Sequence, residues 1–513
     1  MLPERPPRRG LRHWLLLLAA ALPTCGPSER ELTVIVISLD TTRPDHLSAC
    51  GYARPTTPHL ERLAREGTRF DQARSTTSWT LPAHMSLFTG LPPGVHDVNI
   101  DFQVLDRSRR TLGEIFKDGG FRTMGIFSGP YVHGHYGFSR GFKYYERGTQ
   151  DPMLFDLTAE QRRTEIGLRE HRSHTEVTSA MVVDRGLALL RNSNAPRNLL
   201  FLHFFDPHYD YKAPRRLARQ FTDPAYSGPI TGEGLARSGL VRPEMSAADR
   251  RQLLDLYDAE LAWVDENIGR LLEQLEVQGR LGNALIVVTG DHGEEFLEHG
   301  RFGHRNGLSE QVLRVPLIVW GPDLGVPAGR VEQAEVSLCD VLPTLVDYAG
   351  LPAEPSLYGR SLRPLLQGGT LRPAPVAAAL SFFPAQPQGY YVLHRSAVFD
   401  GLKVVSRVHV QWAPAKERDL TGPIVPGSET LAVYDLRADP LETSDLSAST
   451  DPQVVLRVKA VLSAYAAEHE RQREALAQFT PRGAEAGSDL GMDLYELMRA
   501  VGYAGGVEGD AGP

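Results

Sequence analysis

Four apolar runs along the chain stop abruptly at polar clusters. Leu32–Asp40 (LTVIVISLD) ends in DTTRPD, Asn198–His208 (NLLFLHFFDPH) in DPHYDY, Asn283–Glu295 (NALIVVTGDHGEE) in DHGEE, and Arg314–Pro322 (RVPLIVWGP) in Gly-Pro. Continuous β-branched and leucine runs of this length suit strands covered on both faces, as in a parallel sheet. Between them lie amphipathic patterns: TPHLERLAREG, VTSAMVVDRGLALLRN and LLDLYDAELAWVDENIGRLLEQLE. Strands alternating with such helices predict a doubly wound α/β domain with a central, mostly parallel sheet. Ligands of these sheets bind beyond the carboxyl ends of the strands, so the polar clusters are expected to converge there.

The pattern changes after residue 350. Leu351 to Pro387 is rich in Pro and Gly and reads as a linker. GYYVLHRSAVFDGLKVVSRVHVQW and ETLAVYDLRADP then predict antiparallel strands, with a hairpin turn at Asp400–Gly401. The amphipathic stretch DPQVVLRVKAVLSAYAAEHERQREAL comes after them. The expected organisation is a catalytic domain over 32–350, a linker over 351–387, a small α+β subdomain over 388–480 and a tail over 481–513. Thr222–Arg250 reads as an inserted loop, and loops such as 97–108 and 130–150 are where specificity is expected to reside.

Composition narrows the class without naming it. The 513 residues are 42% hydrophobic and 23% charged, as in ordinary globular proteins. A formal charge of −8 offers no electrostatic footprint for nucleic acid. Residues 1–27 carry Arg5, Arg8, Arg9 and Arg12 before the short apolar run Trp14–Leu22, the pattern of an export signal. That run is too short to span a bilayer, which takes about 20 residues. Cys25 in LPTCG resembles a lipoprotein cleavage site, and ordinary cleavage nearby is the alternative. The chain is therefore expected to be exported, periplasmic or at the cell surface, with lipidated Cys25 as a route to membrane attachment. Cys50 and Cys339 then remain, too few for a disulfide framework.

The chemistry sits at the strand ends. Asp291 and His292 directly follow an apolar run, and Asp40 ends another; carboxylate plus imidazole is a donor set suited to Zn²⁺ or Mn²⁺, with Ca²⁺ as the oxygen-seeking alternative. Alone, each residue reads better as a cap or a surface group; together, at the ends of adjacent strands of one sheet, they outweigh that reading. Thr80, before Leu81-Pro82, stands where an apolar helix begins. There it is either a plain helix cap or a hydroxyl at the positive helix end, where an anionic group is favoured.

In order, SLDTTRPDHLSACGY, TTPHLERLAREGTRF, SWTLPAHMSLFTGLPPGVHDV, LYDAELAWVDENIGRLLEQL, TGDHGEE, HGRFGHRNGLSEQVLRVPLIVWGP, CDVLPTLVDYAG and VYDLRADPLETSDL resemble the sulfatase family of the alkaline phosphatase superfamily, from about Leu32 to Leu446. The resemblance implies a large α/β sandwich with a small C-terminal subdomain. It also implies that Asp40, Asp291 and His292 hold a divalent metal touching Thr80, which stands where sulfatases carry the cysteine or serine converted to formylglycine. His208, in FFDPHYDY, resembles the family histidine that contacts the substrate ester, and His304, in GHRNG, occupies the place of a lysine that grips sulfate.

Four departures change what the resemblance implies. Threonine cannot become formylglycine, because its β-carbon carries a methyl group. The signature arginine is His84, the second N-terminal aspartate is Thr41, and no lysine stands in FRTMGIFSGPYVHG, where arylsulfatases carry a Lys-and-His segment. The arrangement resembles the threonine-nucleophile branch, whose enzymes form a phospho-threonine beside one or two transition metals. A hydrolase of phosphate- or sulfate-type esters, with phosphoryl substrates favoured, is the expectation; the ester's remainder could be a glycan or a lipid headgroup. A sulfatase without formylglycine, a phospho-headgroup transferase and an inactive binding protein are the alternatives. Asp206, His208 and His304 form a further candidate ligand set, disfavoured by their spacing. His203 reads as a core histidine, His96, His133, His135 and His299 as loop histidines, and Glu294 and Glu295 as carboxylates that orient ligands or face solvent.

Overall fold

A computed structural model describes residues 31–101, 103–150, 153, 177–235, 238–382, 390–411 and 424–479. The export signal with Cys25 and the tail beyond Thr480 lie outside these residues. An eight-stranded sheet forms the centre. In chain order its strands are β1 (Leu32–Leu39), β2 (Thr68–Phe70), β3 (Arg122–Phe127), β4 (Tyr144–Arg147), β5 (Arg197–Phe204), β6 (Ala284–Gly290), β7 (Leu317–Trp320) and β8 (Arg330–Glu332). Across the sheet they run β8-β2-β7-β6-β1-β5-β3-β4. Only β7 pairs antiparallel with its neighbours. β1 lies between β5 and β6, parallel to both, so the three longest apolar runs are adjacent at the middle.

Alternation along β1 divides the core in two. Val34 and Val36 join Phe201, Val287 and the helix α2 (Thr80–Thr89) on one face. Ile35, Ile37 and Leu39 join Leu202, Val288 and the helices α1 (Pro58–Glu66), α3 (Ser179–Arg191) and α4 (Ala247–Val277) on the other. This is the α/β sandwich that the continuous apolar strands require, since neither sheet face could meet water. Every residue of α2 is buried, the polar Thr80, His84, Ser86 and Thr89 included, and Gly90 ends it in the left-handed conformation at φ 65°.

The C-terminal subdomain is an antiparallel sheet of β9 (Val376–Phe382), β10 (Tyr390–Phe399), β11 (Leu402–Gln411) and β12 (Thr430–Asp435), with α5 (Pro452–Ala477) packed on β10 and β11. Asp400 and Gly401, at φ 52° and 71°, form the expected two-residue turn, placing Phe399 opposite Leu402. β9 falls inside the stretch read as linker. A buried charge network ties the subdomain to the large domain. Lys403, wholly buried, lies 3.1 Å from Glu310 and 2.8 Å from Glu442, and Arg74 lies 2.9 Å from the other oxygen of Glu310. No described helix is long and apolar enough to cross a membrane.

Candidate active site and metal centre

The carboxyl ends of β1 and β6 bring Asp40, Asp291 and His292 together, one donor atom from each lying within 4.8 Å of the others. All three are fully buried. His292 Nε2 lies 3.7 Å from Asp40 Oδ1 and 3.3 Å from Asp291 Oδ2. Its Nδ1 donates to the Gly293 carbonyl at 2.9 Å, which leaves the lone pair on Nε2, facing the carboxylates. Both oxygens of Asp40 and Oδ2 of Asp291 are buried with no hydrogen-bond partner. Burial pushes the Asp40 and Asp291 carboxyls well above the ordinary carboxylate range; Glu294 raises Asp40 further, and Asp40 does the same to Asp291. Burial, and next His304, push His292 well below the ordinary imidazole range. Orphaned carboxylate oxygens facing a deprotonated imidazole nitrogen fit a divalent cation.

Thr80 completes the group. It is the first residue of α2, with Trp79 in the cap position and no side-chain cap, so its hydroxyl is not consumed by the helix. The hydroxyl lies 3.3 Å from His292 Nε2. His208 and His304 form the opposite wall: the His304 ring lies 4.5 Å from His292 and 5.0 Å from His208, centroid to centroid. His208 donates from Nδ1 to the Tyr209 carbonyl at 2.6 Å and stacks on Phe205. His304 Nδ1 meets Glu294 Oε1 at 2.8 Å. Burial, then Arg305, push His304 down to about 3. Asp40, Thr80, His208, Asp291, His292 and His304 therefore converge in one buried cluster at the strand ends.

Other assignments change. Asp206 is not a ligand: it accepts from the backbone N–H and hydroxyl of both Thr178 and Ser179, capping α3. The set of Asp206, His208 and His304 does not form, because the chain leaves β5 at Phe204 and turns Asp206 toward that helix. His96 is buried rather than solvated, held by Ser86 and the Val98 N–H. Glu294 and Glu295 are buried rather than solvated; Glu294 bonds His304 and Glu295 bonds Ser309.

Three contributors were missed. His203 is buried as expected, yet its Nε2 lies 3.3 Å from Asp40 Oδ2. His84 donates from Nδ1 to the Thr80 carbonyl at 2.9 Å, accepts from Ser38 at 2.9 Å, and lies 3.5 Å from Asp291. Thr41 sits at φ 47°, a conformation β-branched residues avoid. Three bonds hold it there: its N–H to Asp291 Oδ1, its hydroxyl to the Pro207 carbonyl, and the Tyr257 hydroxyl to its own carbonyl. A signal existed for His203. Ser38 and His203 are polar residues at paired positions of otherwise apolar strands, with Ser38 two residues before Asp40.

Comparison with known proteins identifies the family and the fold. Residues 32–351, well over half of the chain, match the sulfatase family model. The chain is 25% identical over 439 residues to an N-acetylglucosamine-6-O-sulfatase of Bacteroides thetaiotaomicron, covering 70% of this chain and 76% of that one. It is 23% identical over 400 residues to PehA of Trinickia caryophylli, a multifunctional alkaline phosphatase superfamily protein, covering 66% and 77%. Its fold matches that of a phosphonate monoester hydrolase of Agrobacterium radiobacter with a TM-score of 0.64 at 22% identity, over 85% of this chain and 96% of that one.

Proposed function

The chain belongs to the sulfatase family, and on that premise we propose that it is an exported, metal-dependent ester hydrolase using Thr80 as nucleophile, with phosphoryl esters as its preferred substrates. The observation that carries this reading is the Thr80 hydroxyl, uncommitted to helix capping, 3.3 Å from the imidazole nitrogen that faces two orphaned carboxylates. Asp40, Asp291, His292 and the Thr80 hydroxyl would hold the cation. Zn²⁺ or Mn²⁺ suits two carboxylates and one imidazole better than Ca²⁺, which takes six to eight oxygens. A bound dication supplies Lewis acidity, lowering the pKa of the hydroxyl and offsetting negative charge on the ester oxygens.

The chain's own residues supply the rest. The amino end of α2, pointing at the pocket, favours an anionic ester next to Thr80. Thr80 Oγ gives up its proton to bulk water and forms the bond to phosphorus as the bond to the leaving oxygen breaks, that oxygen taking its proton from the His304 Nε2–H. His208 and His304 face the pocket with Nδ1 already engaged, so Nε2 is the nitrogen that meets the substrate. An incoming anion adds the negative charge that favours protonation of His304, whose Nδ1–H already points at Glu294. His304 Nε2–H can then stabilise the departing oxygen. Water cleaves the resulting threonine ester, restoring the hydroxyl.

A second reading, sulfate-ester hydrolysis without formylglycine, draws support from the N-acetylglucosamine-6-O-sulfatase relative. The two separate in one experiment. Protein lacking residues 1–25 is stripped of metal, reloaded with Zn²⁺, Mn²⁺ or Ca²⁺, and assayed on p-nitrophenyl sulfate, phosphate, a phosphodiester and a phosphonate monoester, with Thr80→Ala beside it. Phosphoryl or phosphonate turnover that disappears in Thr80→Ala supports the first reading. Dominant sulfate turnover replaces it with the second, and turnover indifferent to Thr80 removes both.

A further inference from the structure

His203 takes no part in the chemistry above, yet it is buried against a candidate metal ligand. Its Nδ1 is approached by two backbone donors, the N–H groups of Ser128 at 3.4 Å and Gly129 at 3.3 Å, so Nδ1 accepts and the ring proton resides on Nε2. That N–H lies 3.3 Å from Asp40 Oδ2. The approach is off the line of a full hydrogen bond, so what it contributes is a fixed positive edge beside that oxygen. The ring has little freedom to leave. The His84 ring meets it edge-on at 4.9 Å, and a Cβ at Gly129 would come within 2.8 Å of His203 Cε1.

Asp291 is treated in the same way from the other side. Its Oδ1 accepts from the N–H groups of Thr41 at 3.2 Å and His292 at 2.8 Å, leaving Oδ2 toward His292 Nε2. Asp40 thus has one oxygen beside a protein N–H and one toward His292 Nε2, and Asp291 has one oxygen bonded by two N–H groups and one toward His292 Nε2, with His84 Nδ1 3.5 Å from it. With His292 Nε2 and the Thr80 hydroxyl, this makes four single-atom donors.

We propose that His203 is a positioning residue that restricts Asp40 to one metal-facing oxygen and thereby sets the site's preference for a four-coordinate transition metal over a larger, oxygen-rich cation. The inference rests on reading Asp40, Asp291 and His292 as the metal site. Structural zinc takes four donors, while calcium takes six to eight, including carboxylates that bind through both oxygens. Freeing Oδ2 of Asp40 adds the donor that the larger cation needs.

The test uses the full mature chain with His203→Leu, which removes the N–H, and His203→Gln, which keeps an N–H donor. Affinities for Zn²⁺ and Ca²⁺ come from chelator competition, and Co²⁺ loading reports coordination through its visible absorption. In His203→Leu the Zn²⁺-to-Ca²⁺ affinity ratio is expected to fall at least about tenfold, the scale found for residues that orient metal ligands. The intense four-coordinate Co²⁺ bands are expected to weaken, and His203→Gln to recover most of both signals. If His203→Leu does not fold, Gly129→Ala, which displaces the same ring, is expected to move the ratio in the same direction. An unchanged ratio and Co²⁺ spectrum in the folded variants overturns the proposal. Failure of the parent protein to bind Zn²⁺ or Co²⁺ at all, with Asp291→Asn indistinguishable from it, overturns the underlying metal-site reading instead.

Discussion

Two regions of this protein bury several charged side chains, and they balance their charge differently. At the junction with the C-terminal subdomain, Arg74, Lys403, Glu310 and Glu442 form an alternating network with zero net charge. Burial opposes ionisation of Glu310, yet Arg74 and Lys403 hold its carboxyl down to about 2. At the strand ends, Asp40 and Asp291 face only imidazoles whose basicity burial suppresses, and three of their four oxygens lack a hydrogen-bond partner. The first region is closed by its own residues. The second is left open by its own residues, and burial without compensation is what marks it as a candidate functional site.

Replacing Thr80 by Ala gives the largest expected change: a loss of about 10³-fold or more in kcat with the fold intact, read by steady-state assay and circular dichroism. In the junction network, Lys403→Met removes the cation that both Glu310 and Glu442 contact and is expected to destabilise by about 3–5 kcal/mol in denaturant titration. The site predicts the opposite sign. In metal-free protein Asp40→Asn removes one of two mutually repelling buried carboxyls and is expected to stabilise by about 1 kcal/mol. If both substitutions destabilise equally, the contrast between the regions is wrong.

Metal sharpens the same comparison. Saturating Zn²⁺ at about 100 times its Kd is expected to stabilise the parent protein by about 2.7 kcal/mol and Asp40→Asn far less, while leaving the destabilisation of Lys403→Met unchanged.

The pH response is the smallest effect. Glu310 has a folded pKa of about 2, below its unfolded value near 4.5, so the stability it contributes is present above the unfolded value and lost as pH falls toward 2. Acid titration of Glu310→Gln is expected to show a shallower loss across that window. An unaltered slope would mean that the network is not what holds the carboxyl ionised.

Much of this was legible along the chain because it is local. Apolar runs of strand length, interrupted by helical patterns, could be buried only as a sheet covered on both faces, and the Asp400–Gly401 turn arises from two residues able to adopt positive φ. Asp40, Asp291 and His292 were readable because each stands directly beyond an apolar run, where a parallel sheet presents ligands. Thr80 was readable because it opens an apolar helix.

What stayed hidden depends on contacts across long separations. Asp206 and His208 look like a ligand pair two residues apart, but the helix starting at Ser179 competes for Asp206 with four donors, and only the packing of α3 beside β5 supplies them. His203 looks like a core residue, and it is, while His84 stands only as a departure from a family signature; whether either buried imidazole faces a carboxylate depends on strand register and on the seating of α2. The strain in Thr41 is invisible in a sequence that offers no glycine there, because it is held by Asp291, Pro207 and Tyr257, at least 166 residues away in the chain. Sequence alone determined the layers of the fold, by periodicity, and put two carboxylates and an imidazole at strand ends and a hydroxyl at a helix start, by position; their joint role came from the family resemblance. Tertiary structure alone decided which polar neighbours aim them, because orientation depends on distances of a few ångströms between segments that the chain order keeps far apart.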